Sequence, residues 1–443
     1  MPWRLRSGSD LAVKRNPGFA PKIRELLDRL RHPESFIGPV LTLVSGTAIA
    51  HAITAATLVV VARLYTPTDV GVLGLFASIY YILAVIACLR FDIAIPLPES
   101  DEEARDVFWL ALLGGLFLSA LTALLLLFIP DAAIAGLGLG KVAPYLWMLP
   151  LAVLATACFS ALQNWHVRKR SYGLVARARV AQSAGASLIQ VSSGLVAPSP
   201  LGLIAGFVVN GGTAAILILV QMWRKATLGV LRPEVARLRP ALRQYSYYPR
   251  YSIWEALANS AAVQLPVLLI GVLVSEAEVG QLLLATSVVQ APMALFGTAT
   301  SQVFLSQAPE RARQGRLEEI TRSTTRTLLR IGAPILVAIG FLSPFAFPIA
   351  FGAEWERAGM IVAWMAPWLL LQFISSPVSM ALYVVGRQRL AMTLQVGGLV
   401  LRIAATWLGA MLLDGSATEA YAMSGVIFYG ALILVILRLV KNR

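Results

Sequence analysis

From Ser35 onward the chain alternates between long stretches without a charged residue and short charged connections. The charge-free runs are Ser35–Ala62, Val70–Leu89, Val107–Pro130, Val142–Val167, Val180–Trp223, Ala256–Ser275, Val279–Pro309, Ile331–Ala353, Ala358–Gly386, Leu390–Leu413 and Ala420–Leu437. Arg402 alone interrupts one of them. At about 1.5 Å per residue, twenty residues such as Val70–Leu89 just cross a hydrocarbon core of about 30 Å. Val180–Trp223 is too long for one crossing and holds Pro198, Ser199, Pro200 and Gly202 in its middle, so it breaks into two. The pattern therefore predicts an all-α integral membrane protein with twelve transmembrane helices.

Composition agrees with this pattern. Of 443 residues 58% are hydrophobic and 14% charged, too few charges to solvate a soluble chain of this size. The net charge of +14 raises a nucleic-acid reading, and the distribution of cations removes it. If the N-terminus is inside, all but four of the 37 Lys and Arg fall in inside segments. The exceptions are Arg63, Lys141 and Arg357 in outside loops and Arg402 within a helix. The excess is a topology signal, with both termini cytoplasmic. The basic leader, residues 1–36, carries Ile23, Leu26, Leu27 and Leu30 at helical spacing, as expected of a helix lying on anionic phospholipid. Its charges leave no room for a secretory signal core.

The two halves share a weak repeat. Thr68-Asp69-Val70-Gly71 precedes the second helix and Ala277-Glu278-Val279-Gly280 the eighth; at the same offset Leu73, Leu75 and Ser78 meet Leu282, Leu284 and Ser287. Six helices separate the copies, which suits two six-helix lobes related by a pseudo-two-fold axis along the membrane normal. The expected division is an N-lobe over 37–223, a cytoplasmic linker over 224–250 and a C-lobe over 251–443. Ser100 and Glu103 read as a capping box, and the acidic cluster from Glu99 to Asp106 as its solvated start.

Polar groups inside spans are costly in lipid and mark candidate transport paths. Thr47, His51 and Thr54 form one helical stripe; Tyr251, Glu255 and Asn259 form another, followed by Gln264 and the helix-bending Pro266. His51 is equally readable as a hydrogen-bonded packing group. Arg402 suits bidentate contact with phosphate oxygens, and equally snorkelling to the interface or pairing with a buried carboxylate. Arg90, Asp92, Asn164 and Arg250 sit where spans meet the inside. Cys88 and Cys158 fall in apolar runs and read as packing residues, and the three histidines have no metal-ligand spacing. Gly136 to Lys141 resembles a phosphate loop, but lacks the Walker spacing and the following Ser or Thr. No catalytic triad or paired carboxylates stand out, and no loop is long enough for a catalytic domain.

The blocks R-L-Y-T-P-T-D-V-G (63–71), L-R-F-D-I-A-I-P-L-P (89–98), Q-N-W-H-V-R-K-R (163–170), Y-S-Y-Y-P-R-Y-S (245–252) and F-G-A-E-W-E-R-A-G (351–359), in this order, resemble the O-antigen and capsular polysaccharide flippases of the multidrug/oligosaccharidyl-lipid/polysaccharide exporter superfamily. The resemblance covers roughly residues 37 to 440. It implies a bacterial inner-membrane protein without enzymatic activity or cofactor. Its expected substrate is an undecaprenyl-diphosphate-linked oligosaccharide, moved from the cytoplasmic to the periplasmic leaflet by alternating access. It further implies an H+ or Na+ gradient as driving force and other polysaccharide assembly proteins as partners. The family blocks fall on Arg90, Asp92, Asn164, Arg250 and Glu255; neither His51 nor Arg402 belongs to them. The expected diphosphate and sugar contacts are Arg90, Arg250, Arg402, Asn164, Asn259 and Gln264. Candidates for ion coupling are His51, Asp92 and Glu255. A multidrug cation antiporter of the same superfamily is the first alternative, but it calls for acids in the N-lobe cavity. A membrane glycan polymerase or ligase is the second, and it calls for an external catalytic loop.

Overall fold

A computed structural model describes residues 37–227, 233–385, 387–412 and 416–441, so the expected leader helix lies outside the described residues. Among these residues twelve helices have eighteen residues or more. They are α1 (Ile37–Leu64), α2 (Pro67–Ala84), α3 (Asp101–Phe128), α4 (Leu149–Arg168), α5 (Tyr172–Val196), α6 (Pro200–Arg224), α7 (Ile253–Leu273), α8 (Glu276–Arg313), α9 (Leu317–Phe351), α10 (Glu356–Val378), α11 (Gln388–Leu412) and α12 (Ala417–Lys441). The long run Val180–Trp223 breaks at Ala197–Ser199, where Pro200 at the first position of α6 starts a new helix.

Among the described residues ten helical segments are long and apolar enough to cross a membrane; α5 is long but more polar. The polarity of α5 has a local cause. Its hydroxyl face meets α1, where Thr54 Oγ1 donates to Ser183 Oγ at 3.4 Å and Thr57 Oγ1 to Ser187 Oγ at 2.6 Å. Arg179 Nη1 donates to Thr47 Oγ1 at 2.8 Å, and Tyr65 closes the row on the Gln190 carbonyl at 2.7 Å. Each hydroxyl thus finds a partner on the facing helix rather than lipid. Thr47 and Thr54 of the predicted stripe accordingly bond to α5.

Within the first half α1 packs on α5, α5 on α6, α6 on α4 and α4 on α3, with α2 against α4. Within the second half α7 packs on α11, α11 on α12, α12 on α10 and α10 on α9, with α8 against α10. Between the halves the broadest contact is α2 on α8, joined by α2 on α7. Val70, Leu75, Val279, Leu282 and Leu284 are buried in one cluster along this seam. The two seam helices start alike: Thr66 Oγ1 accepts from the Asp69 amide at 3.2 Å, and Ser275 Oγ from the Glu278 amide at 3.1 Å. At Thr66 the Asp69 carboxylate also accepts from the Thr66 amide at 3.0 Å, completing a capping box.

The expected box at Ser100 is only half formed. Ser100 Oγ accepts from the Glu103 amide at 3.2 Å, but the Glu103 carboxylate turns away to Gln244 Nε2 at 2.6 Å and Tyr245 OH at 2.8 Å. These belong to the connection between the halves, whose helix Val235–Gln244 lies on α3. Arg237 bridges Glu102 at 2.5 Å and Asp106 at 3.2 Å, and Arg105 bridges Glu234 at 3.2 Å. Asp106 is 3% exposed. The acidic start of α3 is therefore also a dock for the linker: Glu99, Asp101 and Glu102 stay exposed, while Asp106 is covered.

Candidate functional site

Most of the candidate residues gather at one end of the bundle, where α2 gives way to a short irregular segment. Alpha-helical geometry ends at Ala84, and Leu89 (φ 48°) and Arg90 (φ 66°) both adopt left-handed backbone. For residues with a Cβ that conformation costs about 1–2 kcal/mol each and persists only where packing enforces it. The packing is visible on both sides: Ala87, Cys88, Phe91, Ala94 and Ile95 are all buried in a cluster with Phe108 and Trp165. Arg168 fixes the outgoing strand of this segment. Its guanidinium donates to the carbonyls of Pro96, Pro98 and Glu99 and to the Asp101 carboxylate.

With its neighbours buried, Arg90 is left half-exposed and points across to the second half. Its Nε donates to Ser252 Oγ at 3.3 Å. Ser252 ends a π-helical turn, Tyr248–Ser252, that contains Arg250 and leads into α7. Among the described residues neither Arg90 nor Arg250 has a carboxylate within ion-pair distance. A cation from each half, neither with an acid to neutralise it among the described residues, thus lies on the two segments that the Arg90–Ser252 bond joins.

Asp92, the next polar residue along, accepts a hydrogen bond from Ser160 Oγ at 2.7 Å. Asn164 Nδ2 donates to the Ser160 carbonyl at 3.0 Å. The structure therefore brings Asp92 and Asn164 together through Ser160, a residue that sequence reasoning missed. Its spacing four residues before Asn164 on one helix face was the available signal.

On α7, Glu255 and Asn259 are exposed and Gln264 is half-buried, while Tyr247 and Tyr251 pair their rings 5.1 Å apart at the inner end. Ser260 Oγ donates to the Tyr81 carbonyl at 3.0 Å, which sets this face of α7 beside the end of α2. His51 lies half-buried on α1. Arg402 does not join the junction. It is 6% exposed inside the second half, with its guanidinium carbon 5.5, 5.3 and 5.6 Å from the ring centres of Trp368, Phe428 and Tyr429. No group of three or more His, Cys, Asp or Glu that could hold a metal ion occurs among the described residues.

The opposite end of the bundle is closed by contacts between the halves. Arg63 Nη2 donates to the carbonyls of Ile349 at 2.7 Å and Ala350 at 3.1 Å, and Trp355 Nε1 to that of Ala62 at 2.7 Å. Lys141 pairs with Glu276 at 3.1 Å. Within the second half Arg357 holds Glu278 at 2.8 Å and Glu419 at 2.6 Å, tying α8, α10 and α12 together.

This architecture is shared with solved transporters of the multidrug/oligosaccharidyl-lipid/polysaccharide superfamily. An inward-facing multidrug resistance MATE transporter of that superfamily aligns with a TM-score of 0.68 at 14% identity, covering 91% of this chain and 99% of that one. The lipid II flippase MurJ in an inward closed conformation aligns with a TM-score of 0.71 at 12% identity, covering 89% and 87%. A superfamily transporter from Pyrococcus furiosus, described by the reverse polarity of its binding pocket, aligns at 0.53 and 13% identity, covering 91% and 95%. No curated protein matches the chain. The family described as polysaccharide biosynthesis protein matches residues 60–359, and the chain belongs to it.

Proposed function

We propose that this protein flips an undecaprenyl-diphosphate-linked oligosaccharide from the cytoplasmic to the periplasmic leaflet of the bacterial inner membrane. The observation that carries the reading is the junction at Arg90: an unpaired arginine from one half, on strained backbone, reaches Ser252 beside the unpaired Arg250 of the other. A diphosphate is the group such a pair would stabilise, since it brings the negative charge that the protein withholds. The polyprenyl tail stays in lipid while the headgroup crosses between the lobes. Asn164, Asn259 and Gln264 supply sugar contacts along the way, and Glu255, Asp92 and His51 are the groups available for coupling to an H+ or Na+ gradient.

All twelve long helices cross the membrane in this reading, with both termini cytoplasmic and the halves forming two lobes about a pseudo-two-fold axis. Support for the axis comes from the neighbour order, which repeats helix for helix from α1–α6 to α7–α12, and from the matching caps at Thr66 and Ser275. Support for alternation comes from the contacts at the Arg63 end, the periplasmic end here. They close the substrate off outside while Arg90 and Arg250 wait inside. Moving the substrate then requires only different affinities in the two states.

The test is complementation of a flippase-null strain, with surface glycan as readout. Arg90→Ala and Arg250→Ala are expected to lose surface glycan at least tenfold at equal protein level, and Arg90→Lys to recover part of it. Full surface glycan in both alanine variants would refute the proposal.

A further inference from the structure

Two features that stand apart in the sequence meet in the structure. Pro266 lies within α7, and because proline has no amide hydrogen the carbonyl of Ala262, four residues earlier, has no i+4 donor in the helix. Arg402, from α11, donates from Nη1 to that carbonyl at 3.4 Å. The arginine that interrupts an apolar run thus supplies the donor that a proline in another run removes.

The site around Arg402 is built to hold it there. Its guanidinium carbon lies 5.3–5.6 Å from the ring centres of Trp368, Phe428 and Tyr429. Two of these rings sit on glycines: a Cβ on Gly425 would lie 2.4 Å from the Trp368 ring, and one on Gly398 2.5 Å from Phe428. Arg402 Nε has no partner among the described residues, and no carboxylate there pairs with it. At 6% exposure it cannot be a cation that snorkels to water. Rings on α10 and α12 therefore hold a cation from α11 against the one free carbonyl that Pro266 creates in α7.

The consequence falls on the transport face. Asn259 is three residues before Ala262 and Gln264 two after, so the angle of α7 at this point aims both side chains. We propose that Arg402 is a positioning residue: its guanidinium replaces the amide lost at Pro266 and fixes the bend of α7 that presents Asn259 and Gln264 to the space between the lobes. The link to transport rests on the proposed function; the link to helix geometry does not.

The two are separable by experiment. Spin labels are attached through Trp254→Cys, at the inner end of α7, and Met392→Cys, at the inner end of α11, both exposed. Their distance distribution is measured in detergent-purified protein. Arg402→Met is expected to shift or broaden it and to lower surface glycan at least tenfold, with Arg402→Lys intermediate because it keeps the charge and loses the planar fork. Pro266→Ala restores the amide, so in that background Arg402→Met should move the distance no further. If Arg402→Met folds poorly, the double variant should recover the folded yield. An unchanged distance in Arg402→Met, an equal shift with and without Pro266→Ala, or a double variant no better folded than the single would each overturn the proposal. Distance coupling in a protein that fails the glycan assay would support the positioning role and count against flipping alone.

Discussion

Gly71 and Gly280 occupy reciprocal positions across the seam of α2 and α8. A Cβ on Gly71 would lie 1.7 Å from the Glu276 carbonyl oxygen, and a Cβ on Gly280 would lie 1.9 Å from that of Pro67. Under the sequence offset that matches Gly71 to Gly280, Pro67 matches Glu276. Each helix thus touches the other at equivalent points, as isologous contacts across a two-fold axis do. Small residues let the backbones approach this closely, which is how helices associate where lipid removes the hydrophobic drive.

Gly71→Ala and Gly280→Ala should therefore destabilise this state of the protein. Alanine gains about 1 kcal/mol of helix propensity over glycine, but a Cβ within 2 Å of a backbone oxygen forces the helices apart. Overpacking of this kind costs about 1–3 kcal/mol or more and wins. Thermal unfolding in detergent should show a lower Tm for each variant. Because both clashes are relieved by one separation of the helices, the double variant should lose less than the two singles together. Wild-type Tm in both singles would contradict the close approach.

The dock of the linker on α3 predicts an alkaline limit. Burial, and secondly the carboxylate of Glu103, push the Tyr245 hydroxyl from 10.0 up to about 12. A raised value favours the protonated form in the folded protein. Its contribution is complete below pH 10 and is lost as pH rises through about 12. In difference titrations against Tyr245→Phe, tyrosinate absorbance from this residue should appear near 12, and a transition near 10 would refute the contact. Loss of the hydroxyl should cost about 1 kcal/mol, at the low end for a charged acceptor because the site is partly exposed.

Much of this was legible before the fold. The charge-free runs mark the helices because lipid tolerates few charges, and Pro198–Pro200 marks the break between α5 and α6 because proline starts a helix more readily than it continues one. The shared Val-Gly of the two seam helices marks Gly71 and Gly280, the two glycines that meet the facing backbone across the seam. What a single strand of text withholds is the neighbour. The Thr47, His51, Thr54 stripe has a helical period, but the period cannot say that α5 lies opposite. Nor can the acids of α3 announce that Arg237 will cover them. Arg402 was visible as an anomaly, and its partner is the Ala262 carbonyl that Pro266 leaves without an amide, which only the packed structure can place.

Arg168 tests how firmly the Arg90 segment is held. Its guanidinium reaches three carbonyls and one carboxylate in the stretch from Pro96 to Asp101, a fan that a lysine ammonium cannot span. Arg168→Ala should cost roughly 2–3 kcal/mol, the range for hydrogen bonds with a charged partner, and Arg168→Lys about half of that. Unfolding midpoints in detergent give the comparison. Lysine equal to arginine would mean that charge alone matters and that the fan does not hold the segment.

The closed end offers a test of state rather than stability. Arg63 holds the last carbonyls of α9, where the helix dipole adds to the attraction, and Trp355 holds the carbonyl of Ala62 just before it. Both bonds join the lobes, so both must break if the protein opens at that end. Arg63→Gln combined with Trp355→Phe keeps the bulk and removes the strongest donors. The exchange should shift the population toward the open form by about 1–2 kcal/mol, a factor of roughly 5–30. On the proposed topology a cysteine introduced by Leu58→Cys, half-buried against the central apolar cluster, should then react faster with a membrane-impermeant maleimide added outside the cell. Unchanged labelling in the double variant would show that these contacts do not hold this end shut.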